Sequence, residues 1–289
     1  MNQFIIVLGT AQDGGIPQTG CYRSCCKNIW KDRSRQRYVS SLAIVDTQTS
    51  DRWLVDATPD FKYQLNRLDE IFPTRNKAPG LTGIFLTHGH IGHYTGLINL
   101  ENAALNSKNV PVYVMPKMRN FLSNNRPWQD LIRLKNIKTC SLQNGKETAL
   151  NKKIFIKPFL VHHRAEFSET VGFRTKGPNK TILYIPDIDK WQTMNQEIEN
   201  EITKVDFAFL DGTFFSAKEL PYRDVSQVPH PFIFDTITRL RRLPAVERKK
   251  VFFTHLHHTN PVLNPFSDEF KYVVKNGFRV AEEQQIIGI

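Results

Sequence analysis

Residues 87–97 read Thr-His-Gly-His-Ile-Gly-His-Tyr-Thr-Gly-Leu. The stretch before them, Gly83-Ile-Phe-Leu86, is short and rich in bulky apolar residues, which predicts a buried strand. Thr87 and Gly89 mark its end. His88 and His90 stand two apart, a spacing that turns both side chains the same way while the chain is still extended. His93 follows three residues later, as the chain turns. Three imidazoles are thereby brought to one point at a strand edge. Neutral imidazole is the commonest protein ligand for zinc and other first-row metals. With nine histidines spread over 289 residues, a cluster this tight points to metal binding.

Outward from this run the chain alternates strands and helices. Strands are expected at 3–9, 40–46 and 52–56, with a Gly/Pro loop carrying the cysteines over 10–30. Thr58-Pro59-Asp60 opens a helix with Phe61, Leu65, Leu68 and Ile71 on one face. After the strand at 83–87 come a helix near 94–106, a strand at 110–115 and a helix from Pro116 to Leu122. The second half repeats the alternation, with strands at 154–160, 170–175, 181–185, 207–210 and 250–254. Helices are expected over Trp191–Ile202 and near 230–242. The strand ends deliver His88, His163, Asp187, Asp211 and His255 in turn, which is how α/β proteins assemble a site at one sheet edge. No Pro/Gly/Ser-rich linker divides the chain, so 1–289 reads as one domain.

Lys and Arg number 39 against 28 Asp and Glu. That excess raises the local concentration of anionic ligands. The basic residues are scattered, however, and no basic tract with interleaved aromatics occurs. Solvated faces are therefore expected rather than a nucleic-acid footprint. No apolar run is long enough to span a membrane. The N-terminus has no basic start and no small-residue cleavage site, so a cytoplasmic protein is expected. Three of the four cysteines, Cys21, Cys25 and Cys26, cluster in a short segment, while Cys140 stands alone. This is not an extracellular disulfide framework; it suggests a metal clip or a redox site.

The run from Thr87 to Leu97 resembles the His-x-His-x-Asp-His motif of the metallo-β-lactamase superfamily. Leu8-Gly-Thr-Ala-Gln-Asp-Gly-Gly-Ile-Pro-Gln18, followed by cysteines, is similar to the opening of the pyrroloquinoline quinone biosynthesis protein B family. Asp211-Gly-Thr-Phe214 and Thr254-His-x-x-His-Thr-Asn-Pro261 are also like that family. The resemblance implies an α/β fold, a four-layer αββα sandwich with metals at one edge of two packed sheets. It implies that His88 and His90 bind a first metal, with a third ligand from Val161-His162-His163-Arg164, where His163 is favoured over His162. Asp187 matches the aspartate that bridges two metals, and His255 matches the last histidine. His93 and His255 would face a second metal.

Gly92 departs from the motif, which has aspartate there. Glycine offers no oxygen, so one firmly held metal is expected ahead of two. The resemblance also extends to superfamily members with an N-terminal cysteine cluster and a final His-x-x-His, such as the phosphodiesterase of the carbon–phosphorus lyase pathway. It implies a structural zinc on Cys21, Cys25, Cys26 and His258, with His257 left out. Adjacent Cys25 and Cys26 reach one ion only if the backbone turns sharply.

The expected activity is that of a metal-dependent hydrolase acting on a small anionic substrate. Catalytic zinc is expected, with iron or manganese as alternatives, and Asp187 orients the nucleophile. A second class is an iron-dependent oxidative enzyme acting on a quinone-cofactor precursor. Two imidazoles and a carboxylate at His93, His255 and Asp187 would suit it. A third is a non-catalytic cofactor carrier. Arg164 and Glu166 stand either at the site's rim or as a surface ion pair. Asp13 is either a partner of the ligands or a turn former, Asp211 supports ligands, His230 caps a helix or faces the cleft, and Trp191 packs.

Overall fold

The computed structural model describes residues 2–73, 80–164, 166–191, 198–221 and 224–289. These residues form two seven-stranded sheets. The first contains β1 (Gln3–Gly9), β2 (Ser41–Asp46), β3 (Asp51–Val55), β4 (Gly83–Phe85), β5 (Val110–Val114) and β6 (Ile137–Ser141). The second contains β7 (Thr148–Ala149), β8 (Phe155–Leu160), β9 (Val171–Lys176), β10 (Thr181–Ile185), β11 (Phe207–Asp211), β12 (Val251–Thr254) and β13 (Arg279–Val280). The last strand, β14 (Ile286–Gly288), returns to the first sheet beside β1. β3 to β6 run parallel to one another, as do β10 to β13; the rest pair antiparallel.

Strand alternation explains the layering. In β1, Ile5 and Val7 face the space between the sheets, with Ile44, Trp53, Phe85, Phe173, Tyr184 and Phe209. Ile6 and Leu8, on the other face, pack with Leu54, Ile84 and Val112 under Phe61, Leu65 and Leu68 of helix Phe61–Ile71 and Met118 and Leu122 of helix Pro116–Asn124. The second sheet turns Leu183, Ile185, Leu210 and Phe253 outward under helices Ile198–Thr203, Ile233–Leu240 and Asp268–Lys275. Both faces of both sheets are therefore covered. The result is the αββα sandwich implied by the resemblance. Each buried Leu, Ile, Val or Phe contributes about 1.5–3 kcal/mol relative to exposure, so the three apolar layers dominate the energetics.

The ten strands expected from the sequence are all present; helix Trp128–Arg133, β6, β7 and the elements after β12 were not expected, and three of the expected regions differ. The loop expected over 10–30 contains a helix, Ser24–Lys31, whose only buried residue is Cys26, so apolar periodicity gives no signal. The helix expected near 94–106 is a short turn, Ile91–Tyr94, that tightens into a 3₁₀ segment, Thr95–Leu100. Gly96 sits against the backbone there: a Cβ on it would lie 2.1 Å from the Thr58 carbonyl oxygen. That packing overrides the apolar pattern. Of the helix expected over Trp191–Ile202, the part at 192–197 lies outside the described residues; its end is seen at Ile198–Thr203.

Candidate metal centre

The parallel strands β4, β10, β11 and β12 end at one edge of the sandwich, the edge where open α/β sheets bind ligands. His88 and His90 follow β4, Asp187 follows β10, and His163 follows the antiparallel β8. Their donor atoms converge. His90 Nδ1 lies 3.0 Å from His88 Nε2 and 3.1 Å from His163 Nε2. Asp187 Oδ2 lies 3.2 Å from His88 Nε2, 3.1 Å from His163 Nε2 and 3.8 Å from His90 Nδ1. Donors around a tetrahedral ion with bonds of about 2.0–2.1 Å sit about 3.3 Å apart, and the observed spacings bracket that value. The four residues fit a cation. His163 is buried while His162 is exposed, so of the two candidates the chain turns His163 inward.

A second layer of hydrogen bonds aims these rings. Asp189 Oδ1 is 3.0 Å from His163 Nδ1 and fixes that nitrogen as the donor, leaving the Nε2 lone pair for the cluster. The Thr87 hydroxyl donates to Asp56 and accepts from His88 Nδ1 at 3.0 Å, with the same effect. His93 Nδ1 faces Asp56 Oδ2 at 2.7 Å. The Thr213 hydroxyl donates to Asp211 Oδ1 at 2.7 Å and accepts from His255 Nδ1 at 3.0 Å. Asp56 (φ 70°) and His255 (φ 59°) take left-handed backbone conformations. Such strain in non-glycine residues is held by surrounding structure and concentrates at functional sites.

The electrostatics of the cluster are those of buried carboxylates paired with imidazoles. Burial opposes the charge of Asp187, but His163 and His230 hold its carboxyl well below the usual range. Burial likewise opposes the imidazolium of His163, and the Asp187 charge nevertheless pushes it up to about 9. Burial and the neighbouring His93 hold His88 well below the ordinary imidazole value. Asp56, Asp187 and Asp211 are each at most 3% exposed. Negative charge this deep needs a cationic partner, which histidinium or a metal ion can supply.

His230 does not cap a helix; the following helix, Ile233–Leu240, begins after Phe232. Its Nδ1 lies 2.9 Å from Asp211 Oδ2 and 3.2 Å from Asp187 Oδ1, inside the site. It comes from an irregular segment, so no strand-end pattern marks it. Asp56, Asp189 and Thr213 were also invisible as partners, because each acts through a ring distant in sequence. Beside His230 opens a cleft of about 400 Å³, with Gln12, Gln18, Arg164, Thr213 and His257 on its walls. Arg164 is thus at the rim, and Glu166 Oε2 stands 3.7 Å from His90 Nε2. Trp191 is buried, its indole N–H donating to Thr236.

A separate cluster joins the N-terminal segment to the turn after β12. Cys21 Sγ is 3.6 Å from Cys25 Sγ, and His258 Nδ1 is 3.4 Å from both Cys25 Sγ and Cys26 Sγ. Tetrahedral zinc with sulfur bonds of about 2.3 Å puts sulfurs about 3.7 Å apart, so the set fits a closed Cys₃His site. The sharp turn that adjacent Cys25 and Cys26 require is the first turn of helix Ser24–Lys31. His257 points elsewhere, its Nδ1 2.7 Å from the Thr259 hydroxyl.

Residues 51–256 match the beta-lactamase superfamily domain. The chain belongs to the metallo-β-lactamase superfamily. Within it the chain is PqqB-like: it is 25% identical to coenzyme PQQ synthesis protein B of Methylorubrum extorquens strain PA1, over 96% of this chain and 97% of that protein. The crystal structure of zinc-bound PqqB from Methylobacterium extorquens is similar with a TM-score of 0.81 at 23% identity, covering 99% of this chain and 100% of that one. A diphosphatase of the PhnP family is similar with a TM-score of 0.68 at 19% identity, covering 99% of this chain and 97% of that one.

Proposed function

We propose that this protein is a metal-dependent hydrolase of a small anionic substrate. The observation that carries the reading is the convergence of His88 Nε2, His90 Nδ1, His163 Nε2 and Asp187 Oδ2 beside an open cleft with Arg164 on its wall. When bound there, a divalent cation supplies Lewis acidity, which lowers the pKa of water from about 15.7 toward about 7. The chain's own residues supply the rest. Asp187 accepts a hydrogen bond and orients the attacking water. His230, backed by Asp211, stands where it donates a proton toward the cleft. Arg164 attracts a negatively charged group, in keeping with the excess of basic residues. The name of the similar diphosphatase supports a phosphoester or related anion as the substrate class.

The placement of His93 and His255 beside a carboxylate supports a second reading. Two imidazoles and one carboxylate suit non-haem iron, and the names of the PqqB relatives associate them with synthesis of a quinone cofactor. In this reading the protein oxidises a precursor of such a cofactor. Measuring the metal content of protein purified without added metal, with hydrolysis of chromogenic phosphate mono- and diesters and oxygen uptake, separates the two. Zinc with ester hydrolysis abolished by His163→Ala supports the first. Iron with oxygen uptake and no hydrolysis overturns it. Stoichiometric ligand binding without turnover of either kind would assign the chain to a cofactor carrier.

A further inference from the structure

Gly92 stands where the superfamily motif has a carboxylate, yet the space beside it is not empty. A Cβ built on Gly92 would lie 2.2 Å from Asp13 Oδ1, 2.6 Å from Asp13 Cγ and 2.8 Å from Asp13 Cα. The side chain that position 92 lacks is thus replaced in space by one from the loop after β1. We propose that Asp13 supplies the carboxylate ligand of a second cation position, together with His93 and His255, in place of the residue missing at 92. This rests on the metal-centre reading above and deepens it.

The geometry is that of a ligand set. Asp13 Oδ1 is 3.3 Å from His93 Nε2 and 3.4 Å from His255 Nε2, the separation expected around an ion with bonds of about 2.0–2.1 Å. Both imidazoles present the right nitrogen. Asp56 takes the proton-bearing Nδ1 of His93, and Thr213 takes that of His255. With those protons on Nδ1, their Nε2 lone pairs face a carboxylate oxygen, and a cation held between them satisfies all three donors as a proton on either ring does in its absence. His93 Nε2 is buried and has no hydrogen-bond partner. Asp187 Oδ2, 3.9 Å from His93 Nε2, links this set to the first cluster.

The loop is built to hold Asp13 there. Gln12 N–H donates to the Leu256 carbonyl and Leu256 N–H to the Thr10 carbonyl, at 2.9 and 2.8 Å. The segment carrying Asp13 is therefore hydrogen-bonded to the residue next to His255, and the two ligands move together. Gly15, at φ +65°, lets the chain turn back immediately afterwards. Swapping the source of the ligand also explains why glycine is required at 92: any side chain there collides with the carboxylate.

The test is zinc stoichiometry by elemental mass spectrometry, after loading with zinc(II) and exhaustive dialysis, with the ions located by anomalous diffraction. Asp13→Ala and the near-isosteric Asp13→Asn should each bind one equivalent fewer than the unmodified protein, with the ion on His88, His90 and His163 retained. Gly92→Ala, which leaves Asp13 intact but displaces its carboxylate, should lose the same ion. The double variant Asp13→Gly with Gly92→Asp should regain it. An unmodified protein with an ion on the first cluster and none beside His93 overturns this proposal alone. So does an Asp13→Ala variant that keeps both. Zinc on neither cluster overturns the metal-centre reading as well.

Discussion

His93 Nδ1 and Asp56 Oδ2 meet at 2.7 Å, and neither side chain is exposed to solvent. Asp56 also accepts from the backbone N–H and hydroxyl of Thr87, the residue that orients His88. One carboxylate therefore aims two rings of the cluster. Asp56→Asn keeps the shape and tolerates the left-handed backbone, but its amide presents N–H where His93 needs an acceptor, or forfeits the bonds to Thr87. His93 then flips its tautomer, and Nε2 loses its lone pair to a proton. Partners of this kind cost about 10–100-fold in metal affinity when removed. A competition titration of Asp56→Asn with a chromophoric chelator should show a loss of that size; unchanged affinity would argue that Asp56 merely packs.

The cysteine cluster makes a different prediction, because it ties helix Ser24–Lys31 to the turn after β12. Cys21→Ser should release one zinc and lower Tm, with little change in substrate preference. In small peptides structural zinc contributes on the order of 10–16 kcal/mol of apparent binding energy, much of it coupled to folding. Here the large apolar layers keep the fold, so local loosening of residues 10–40 is expected rather than global unfolding. Burial pushes the Cys26 thiol up to about 12, so zinc must displace a proton and its affinity should fall as pH is lowered. Unchanged zinc content and unchanged Tm would remove the case for this site.

His162 and His163 offer an internal control. His163 is 6% exposed and faces Asp187, His90 and Asp189, whereas His162 points to solvent. His163→Ala should abolish the ion on the first cluster and lower hydrolysis at least about 100-fold, since the water-activating cation goes with it. His162→Ala should leave both within about twofold. Equal losses for the two variants would mean that this edge of the sandwich is disrupted by any change.

Much of this was legible in the sequence for a physical reason. Candidate ligands that sit at strand ends are announced by the apolar strand before them, as His88 is by Gly83-Ile-Phe-Leu86 and His255 by Val251-Phe-Phe-Thr254. Those strands carry period-two or fully apolar patterns, so β1 to β5 and β8 to β12 could be placed. What failed to show was any contact between residues far apart in the chain that follow no periodic element. Asp13 against Gly92 is the clearest case. The missing carboxylate at 92 was readable; the packing of Asp13 against it, from a loop 79 residues earlier, was not. Asp189 escaped for the same reason, and for His230 the sequence left a helix cap and the cleft open as alternatives. The short edge strands β7, β13 and β14 lacked the length for a pattern to register.

Glu219 yields a prediction about pH. Its carboxylate accepts from the backbone N–H groups of Phe215 and Ser216 and faces the Thr259 hydroxyl at 3.4 Å, tying the loop after β11 to the turn that holds His258. Burial pushes it up to about 7 against an ordinary 4.5, despite those hydrogen bonds. Between these two values the folded chain keeps a proton that the unfolded chain has released. Stability therefore falls as pH rises through this window and is level on either side of it. Glu219→Gln carries no charge at any pH, and its amide oxygen still accepts from Phe215 and Ser216. Its Tm should match the unmodified protein near pH 4.5 and exceed it above pH 7. Allowing for solvent screening, the gain is on the order of 1 kcal/mol, or roughly 2–4 °C. Differential scanning calorimetry of both proteins across this range, in matched buffers, reads the difference directly. A variant that is less stable at high pH would show that the buried charge, and not only its shape, holds the loop.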